Sequence, residues 1–75
     1  MNDRWENGPG ETYPVHDHPY HKHLVVERGS ITFHLMRPGK RVELQAGDAL
    51  DIPAGIPHSA VVGSSGVVCT ETHLQ

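Results

Sequence analysis

One cysteine, Cys69, stands in the whole chain. No disulfide can close within it, which excludes the cross-linked framework of many small secreted domains. That economy suits a reducing compartment, and a cytoplasmic location is expected. Long apolar runs are also missing. No stretch reaches the roughly 20 residues of a membrane-spanning helix, and no basic segment followed by an apolar one opens the chain, so a soluble protein without membrane contact is expected. Positive charge is scarce as well, six Lys and Arg against nine Asp and Glu, for a net −3 with histidine neutral. A phosphate backbone would be repelled, and no basic stripe offsets the repulsion, so no nucleic-acid partner is expected. What the chain does have is histidine: seven in 75 residues.

At this length there is room for one small domain. Such a domain buries only about 60–65% of the surface its unfolded chain exposes, so without cross-links a metal or a second chain is expected to supplement the core. Residues 1–9 form a polar arm with one bulky exception, Trp5, which is expected to dock on its own domain or on a neighbouring subunit. The domain proper occupies residues 10–75. Turn signals recur at Gly10, Pro19-Tyr20, Gly29, Pro38-Gly39, Gly47-Asp48, Pro53 to Pro57 and Gly63 to Gly66, leaving segments of about five to eight residues, too short for helices. Within them the pattern has period two. Ile31, Phe33 and Leu35 fall on one face, with Thr32, His34 and Met36 on the other. Val61-Val62 and Val67-Val68, either side of the glycine-rich run, look like a last hairpin. About seven short strands predict an all-β fold, an antiparallel barrel or sandwich, with Val26, Phe33, Leu35, Leu44, Leu50, Ile52 and Val61 as its core. Strands this apolar need covered edges, and a homodimer sharing sheet edges or exchanging the N-terminal arm is expected.

Four of the histidines lie between positions 16 and 23. His16 and His18, two apart on a predicted strand, project from one face with α-carbons about 6.5–7 Å apart, near enough to converge on one ion. Asp17 points the other way. Further on, Gly47 opens a strand that leaves through Pro53-Ala54-Gly55 and delivers His58. Gly55 supplies the positive φ of a tight bend, and Pro53 ends the ladder without needing a donor.

Together these residues resemble the two motifs of the cupin superfamily, and small single-domain cupins in particular. Gly10, His16, His18 and Gly29 stand at the fixed positions of the first motif; Gly47, Pro53, Gly55 and His58 stand at those of the second. The resemblance implies a small antiparallel β-barrel, a jelly-roll-like double-stranded β-helix, with a metal held by histidines from both motifs. His16, His18 and His58 are the implied ligands. Two positions depart from the pattern: Lys22 replaces the usual glutamate of the first motif, and Val62 replaces the asparagine that usually closes the second.

Three neutral imidazoles leave coordination positions open and put no negative charge on the ion, the layout of a catalytic site. Imidazole donors suit a divalent transition metal, whether Zn, Cu, Ni, Fe or Mn, without choosing among them. Parity along Lys22, Leu24 and Val26 turns Lys22 inward, where an ammonium beside a dication is repelled. Three placements are open: Lys22 snorkels to the barrel mouth and meets an anionic substrate, a bulge turns His21 or His23 inward as a fourth ligand, or the site stays empty. His21 and His23 otherwise face solvent. His34 takes the outer face of its strand, and His73 lies near a frayed terminus. Asp48 is expected to brace its turn, Asp51 to point outward, Cys69 to be a small buried hydrophobe, and Tyr13 and Tyr20 to line the pocket mouth. Two functions follow. One is a metalloenzyme, dioxygenase- or isomerase-like, acting on a small anionic or chelating molecule. The other is a non-catalytic ligand-binding or sensor protein with a structural metal or none.

Overall fold

The alternation of apolar and polar residues runs through two stretches longer than any turn-delimited segment, and these become the two long strands that organise the molecule. In the computed structural model, which describes residues 2–74, the strands in chain order are β1 (Asn2–Asn7), β2 (Thr12–His16), β3 (His21–Leu35), β4 (Lys40–Gln45), β5 (Ala49–Ile52) and β6 (His58–Leu74). All pairings are antiparallel. β3 and β6 pair along most of their length, and each serves two layers. In one layer the first half of β3 and the last half of β6 are flanked by β5 and β1; in the other, the second half of β3 and the first half of β6 are flanked by β4 and β2.

The crease between the layers is written in the parity of β3. Lys22, Leu24 and Val26 are buried, and then the buried positions become Ile31, Phe33 and Leu35. Even positions give way to odd where the pairing slips by one residue between Val26 and Arg28, a bulge that keeps one face of the strand inward through the bend. On β6 the same correction is made by Gly63 to Gly66, looped between Val62, opposite Ile31, and Val67, opposite Gly29. At this crossing a β-carbon on Gly29, whose φ is +78°, would stand 1.9 Å from the carbonyl oxygen of Gly66. Only glycine allows both that conformation and that approach.

Leu24, Val26, Ile52, Val67 and Cys69 from one layer meet Ile31, Phe33, Leu35, Leu44, Ala60 and Val62 from the other in a single core. Full burial of each large aliphatic or aromatic side chain contributes about 1.5–3 kcal/mol. Leu50 packs against this core, half buried.

Several expectations are corrected. Among the described residues there are six strands rather than seven, because the bulges carry β3 and β6 through their bends without ending them. Val61-Val62 and Val67-Val68 therefore belong to one strand and not to a hairpin. Val61 is 52% exposed and Val62 takes the core position, since inward parity in this half of β6 runs through His58, Ala60 and Val62. The polar arm contains β1, which pairs with β6 and sets Trp5 against the chain's own core, its ring edge-on to Tyr13 with centroids 5.9 Å apart. The hydrogen-bonded order β1-β6-β3-β4, with β2 on β6 and β5 on β3, does not return on itself. No helix among the described residues is long and apolar enough to cross a membrane.

Candidate metal centre

His16, the last residue of β2, lies directly opposite His58, the first residue of β6. Direct cross-strand partners share a face, so the two imidazoles meet, with ring centroids 4.4 Å apart. His18 lies beyond the end of β2, not on a strand as expected, because Pro19 cannot continue a ladder. The chain holds it by another route: the Gly55 N–H, at φ +79° in the turn before β6, donates to the His18 carbonyl at 2.8 Å. The turn of the second motif thus grips the backbone of the first. The His18 ring then lies 4.8 Å from that of His16 and 5.3 Å from that of His58.

Each ring is oriented through Nδ1. His16 Nδ1 lies 2.7 Å from the Pro14 carbonyl and His58 Nδ1 lies 2.9 Å from that of Ile56, so both donate an N–H there. His18 Nδ1 is 3.2 Å from the Tyr20 hydroxyl. Protonation at Nδ1 leaves the Nε2 lone pair free, the tautomer that a metal-binding histidine takes when a carbonyl fixes its other nitrogen. The Nε2 atoms of His18 and His58 are buried and have no hydrogen-bond partner. A buried polar atom left unpaired is costly, so two of them aimed into one space call for a ligand. One nitrogen from each of His16, His18 and His58 lies within 4.8 Å of the others. Burial, with Lys22 next among the causes for His18, lowers the pKa of His18; burial also lowers that of His58 against the opposing Ile56 hydrogen bond. Both rings are therefore neutral at pH 7, as ligation requires. The donor set and the unpaired nitrogens fit a divalent transition ion.

The histidines form one wall of a cavity of about 320 Å³, completed by Trp5, Tyr13, Tyr20, Lys22, Phe33, Ala60 and Glu71. Lys22 is inward as parity requires, yet it does not snorkel to solvent. It is 9% exposed, and its Nζ lies 3.5 Å from Glu71 Oε2. Neither His21 nor His23 turns in. Both face outward onto Asp51 Oδ1, at 3.0 and 2.8 Å, and these two hydrogen bonds lower the Asp51 pKa. His34 is exposed, and Asp48 closes its turn by accepting from the Gln45 N–H at 2.9 Å. Cys69 is fully buried. His73 is not frayed: it stacks on Tyr20 with centroids 4.1 Å apart and hydrogen-bonds Glu71.

Glu71 is the charged cavity residue that sequence reasoning missed. Its signal was available in the parity of β6, since Cys69 is inward and Glu71 is two residues on. Burial opposes its ionisation, but the hydrogen bond from His73, the charge of Lys22 and the indole N–H of Trp5 outweigh it and hold the pKa below the ordinary carboxyl range.

An all-β fold of two layers sharing two long strands, with three converged histidines on its inner wall, defines a class of small β-domains built around a histidine-lined cavity. The profile of the cupin domain family matches residues 4–70, and the chain belongs to that family. Among solved structures, it is similar to an RmlC-like cupin from Shewanella frigidimarina (25% identity, TM-score 0.85, covering 97% of this chain and 63% of that one). It is also similar to the DMSP lyase DddQ from Ruegeria pomeroyi (20% identity, TM-score 0.89, 99% and 37%) and to Drosophila melanogaster CENP-C bound to CAL1 (16%, 0.86, 97% and 63%). The chain thus spans less than two thirds of the length of each of these structures. No curated protein matches it in sequence.

Proposed function

We propose that this chain is a metal-binding cupin in which His16, His18 and His58 hold one divalent transition ion, and that it acts as a metalloenzyme, dioxygenase- or isomerase-like, on a small anionic or chelating molecule. The observation that carries the reading is the pair of buried, partnerless Nε2 atoms at His18 and His58, each with its Nδ1 already engaged. When bound, the ion supplies Lewis acidity undiluted by ligand charge and open positions for oxygen donors. The chain's own residues do the rest. Carbonyls of Pro14 and Ile56 hold two of the rings in register, Phe33, Trp5 and Tyr13 exclude water from the inner wall, and Lys22 supplies N–H donors for an anionic group. A cavity of about 320 Å³ is of a size to admit a small molecule.

A second reading has an observation of its own. The three histidines join the 16–18 segment to β6, so an ion there would clamp two elements of a chain with a marginal core. In that case the protein is a ligand-binding or sensor module and the metal is structural. In either reading, a homodimer in which a second copy covers the open strand edges completes the barrel-like enclosure, and a reducing, cytoplasmic setting suits the lone buried thiol.

Elemental analysis of the purified protein, reloaded separately with zinc, nickel, copper, manganese and iron, tests the site. One ion per chain is expected, lost in the His16→Ala/His18→Ala and His58→Ala variants. Equal metal content in those variants would sink the proposal. Circular dichroism after chelation separates the two readings, because a structural ion takes the β signal with it and a catalytic one leaves it in place.

A further inference from the structure

Lys22 and Glu71 put a positive and a negative side chain into the wall of the same cavity as the histidines, both of them about nine-tenths buried. The topology explains how they meet. Glu71 sits on β6 opposite Leu24 of β3, so Lys22, two residues before Leu24, is its diagonal neighbour on the inner face. From the other side, β1 places Trp5 opposite Cys69, and its indole N–H donates to Glu71 Oε1. Along β6 itself, His73 donates to Oε2. One carboxylate therefore collects donors from three strands, and it lies beside an ammonium that the cavity otherwise leaves uncompensated: among the described residues, the salt bridge of Lys22 is to Glu71.

An unscreened ammonium facing a dication across a cavity of this size is a large penalty. Coulomb repulsion between a single and a double charge lining one small, partly desolvated cavity is worth on the order of a tenfold change in affinity or more. We propose that Glu71 is the positioning residue that makes Lys22 compatible with a metal at His16, His18 and His58: it neutralises the ammonium and draws Nζ toward β6, leaving the remaining N–H donors of Lys22 to select a small anion. Lys22 then confers specificity without costing the site its ion, and Glu71 compensates from the wall rather than from the coordination sphere. This rests on the metal-binding reading above.

The test is a double-mutant cycle on the full chain, with zinc as the probe. Zinc affinity is measured by competition with a chromophoric chelator, while Trp5, the sole tryptophan and a direct partner of Glu71, reports by fluorescence on the carboxylate. Glu71→Gln keeps the shape and removes the compensating charge, and zinc affinity is expected to fall at least tenfold. Lys22→Met removes the repulsion and is expected to tighten zinc about tenfold. The Lys22→Met/Glu71→Gln pair is expected to return to within about threefold of wild type. Acetate binding to the zinc-loaded protein should weaken about tenfold in Lys22→Met, and undiminished binding would overturn the assignment of Lys22 as the anion-selecting group. A Glu71→Gln protein that binds zinc as tightly as wild type overturns the proposal. If that variant does not fold, Lys22→Met decides, and unchanged or weaker zinc binding by it overturns the proposal equally. Wild-type protein that fails to bind zinc, or binds it undiminished without His58, refutes instead the metal-binding reading beneath it.

Discussion

Replacing His58 by leucine inverts the ordinary expectation that a buried residue is needed for stability. His58 is 1% exposed, its Nε2 has no partner, and only Nδ1 is satisfied, by the Ile56 carbonyl at 2.9 Å. In the metal-free protein the unpaired nitrogen costs about 1–3 kcal/mol, while the Nδ1 hydrogen bond returns about 1 kcal/mol. Leucine has a similar volume and no polar atom, and the neighbouring core of Phe33, Leu35 and Ala60 receives it. The chelator-treated His58→Leu protein is therefore expected to be more stable than chelator-treated wild type by about 1 kcal/mol, a rise in Tm of roughly 4–8 °C for a domain of this size. Added metal reverses the order. At a free concentration of about 100 times Kd the ion stabilises wild type by about 2.7 kcal/mol and the variant not at all, so wild type leads by nearly 2 kcal/mol. Thermal and urea unfolding with and without chelator measure both differences. A variant less stable than wild type under chelation would show that Nε2 is satisfied in solution, and would refute the argument that an ion belongs there.

Acidification should destabilise the metal-free protein between about pH 6.5 and the lowered folded-state pKa values of His18 and His58. Below about 6.5 the unfolded chain takes up protons that these rings resist while folded, so stability is fully present above that pH and declines as pH falls. Urea midpoints at pH 7.5 and 5.5 check the sign, which the lowered carboxyls Asp51 and Glu71 cannot mimic because their loss begins only near or below their ordinary range. Gly29→Ala should destabilise by about 3 kcal/mol or more, since positive φ and a backbone clash coincide there; urea unfolding at the wild-type midpoint would contradict the crease described above. Burial pushes the Cys69 thiol up to about 11, so native protein at pH 8 should resist iodoacetamide and react once unfolded in denaturant; rapid native alkylation would mean the strand opens locally.

Period two in Ile31 to Leu35 and the glycine and proline punctuation around residues 47–58 were enough to read an all-β chain and part of its core, namely Val26, Phe33, Leu35, Leu44 and Ile52; that His58 joins His16 and His18 was implied by the resemblance of both stretches to the cupin motifs. The inward direction of Lys22 was legible for the same reason, because parity within one uninterrupted stretch of strand is a local property. The errors cluster where locality fails. A glycine-rich run looks like a hairpin whether the chain reverses there or loops out of a continuing strand, and that depends on β3 being opposite. Val61 and Val62 are chemically alike, so only the register of β6 against β2 and β3 chooses which one is buried.

By itself the sequence determined which residue types cluster and which of them share a face within one stretch of strand, since side-chain alternation follows from backbone geometry alone. Tertiary structure decided which charges meet. Glu71 lies 49 positions from Lys22 along the chain and becomes its partner only because two long strands run antiparallel with a particular register. The pairing of distant groups across a sheet is set by that register and its bulges, which no single segment contains.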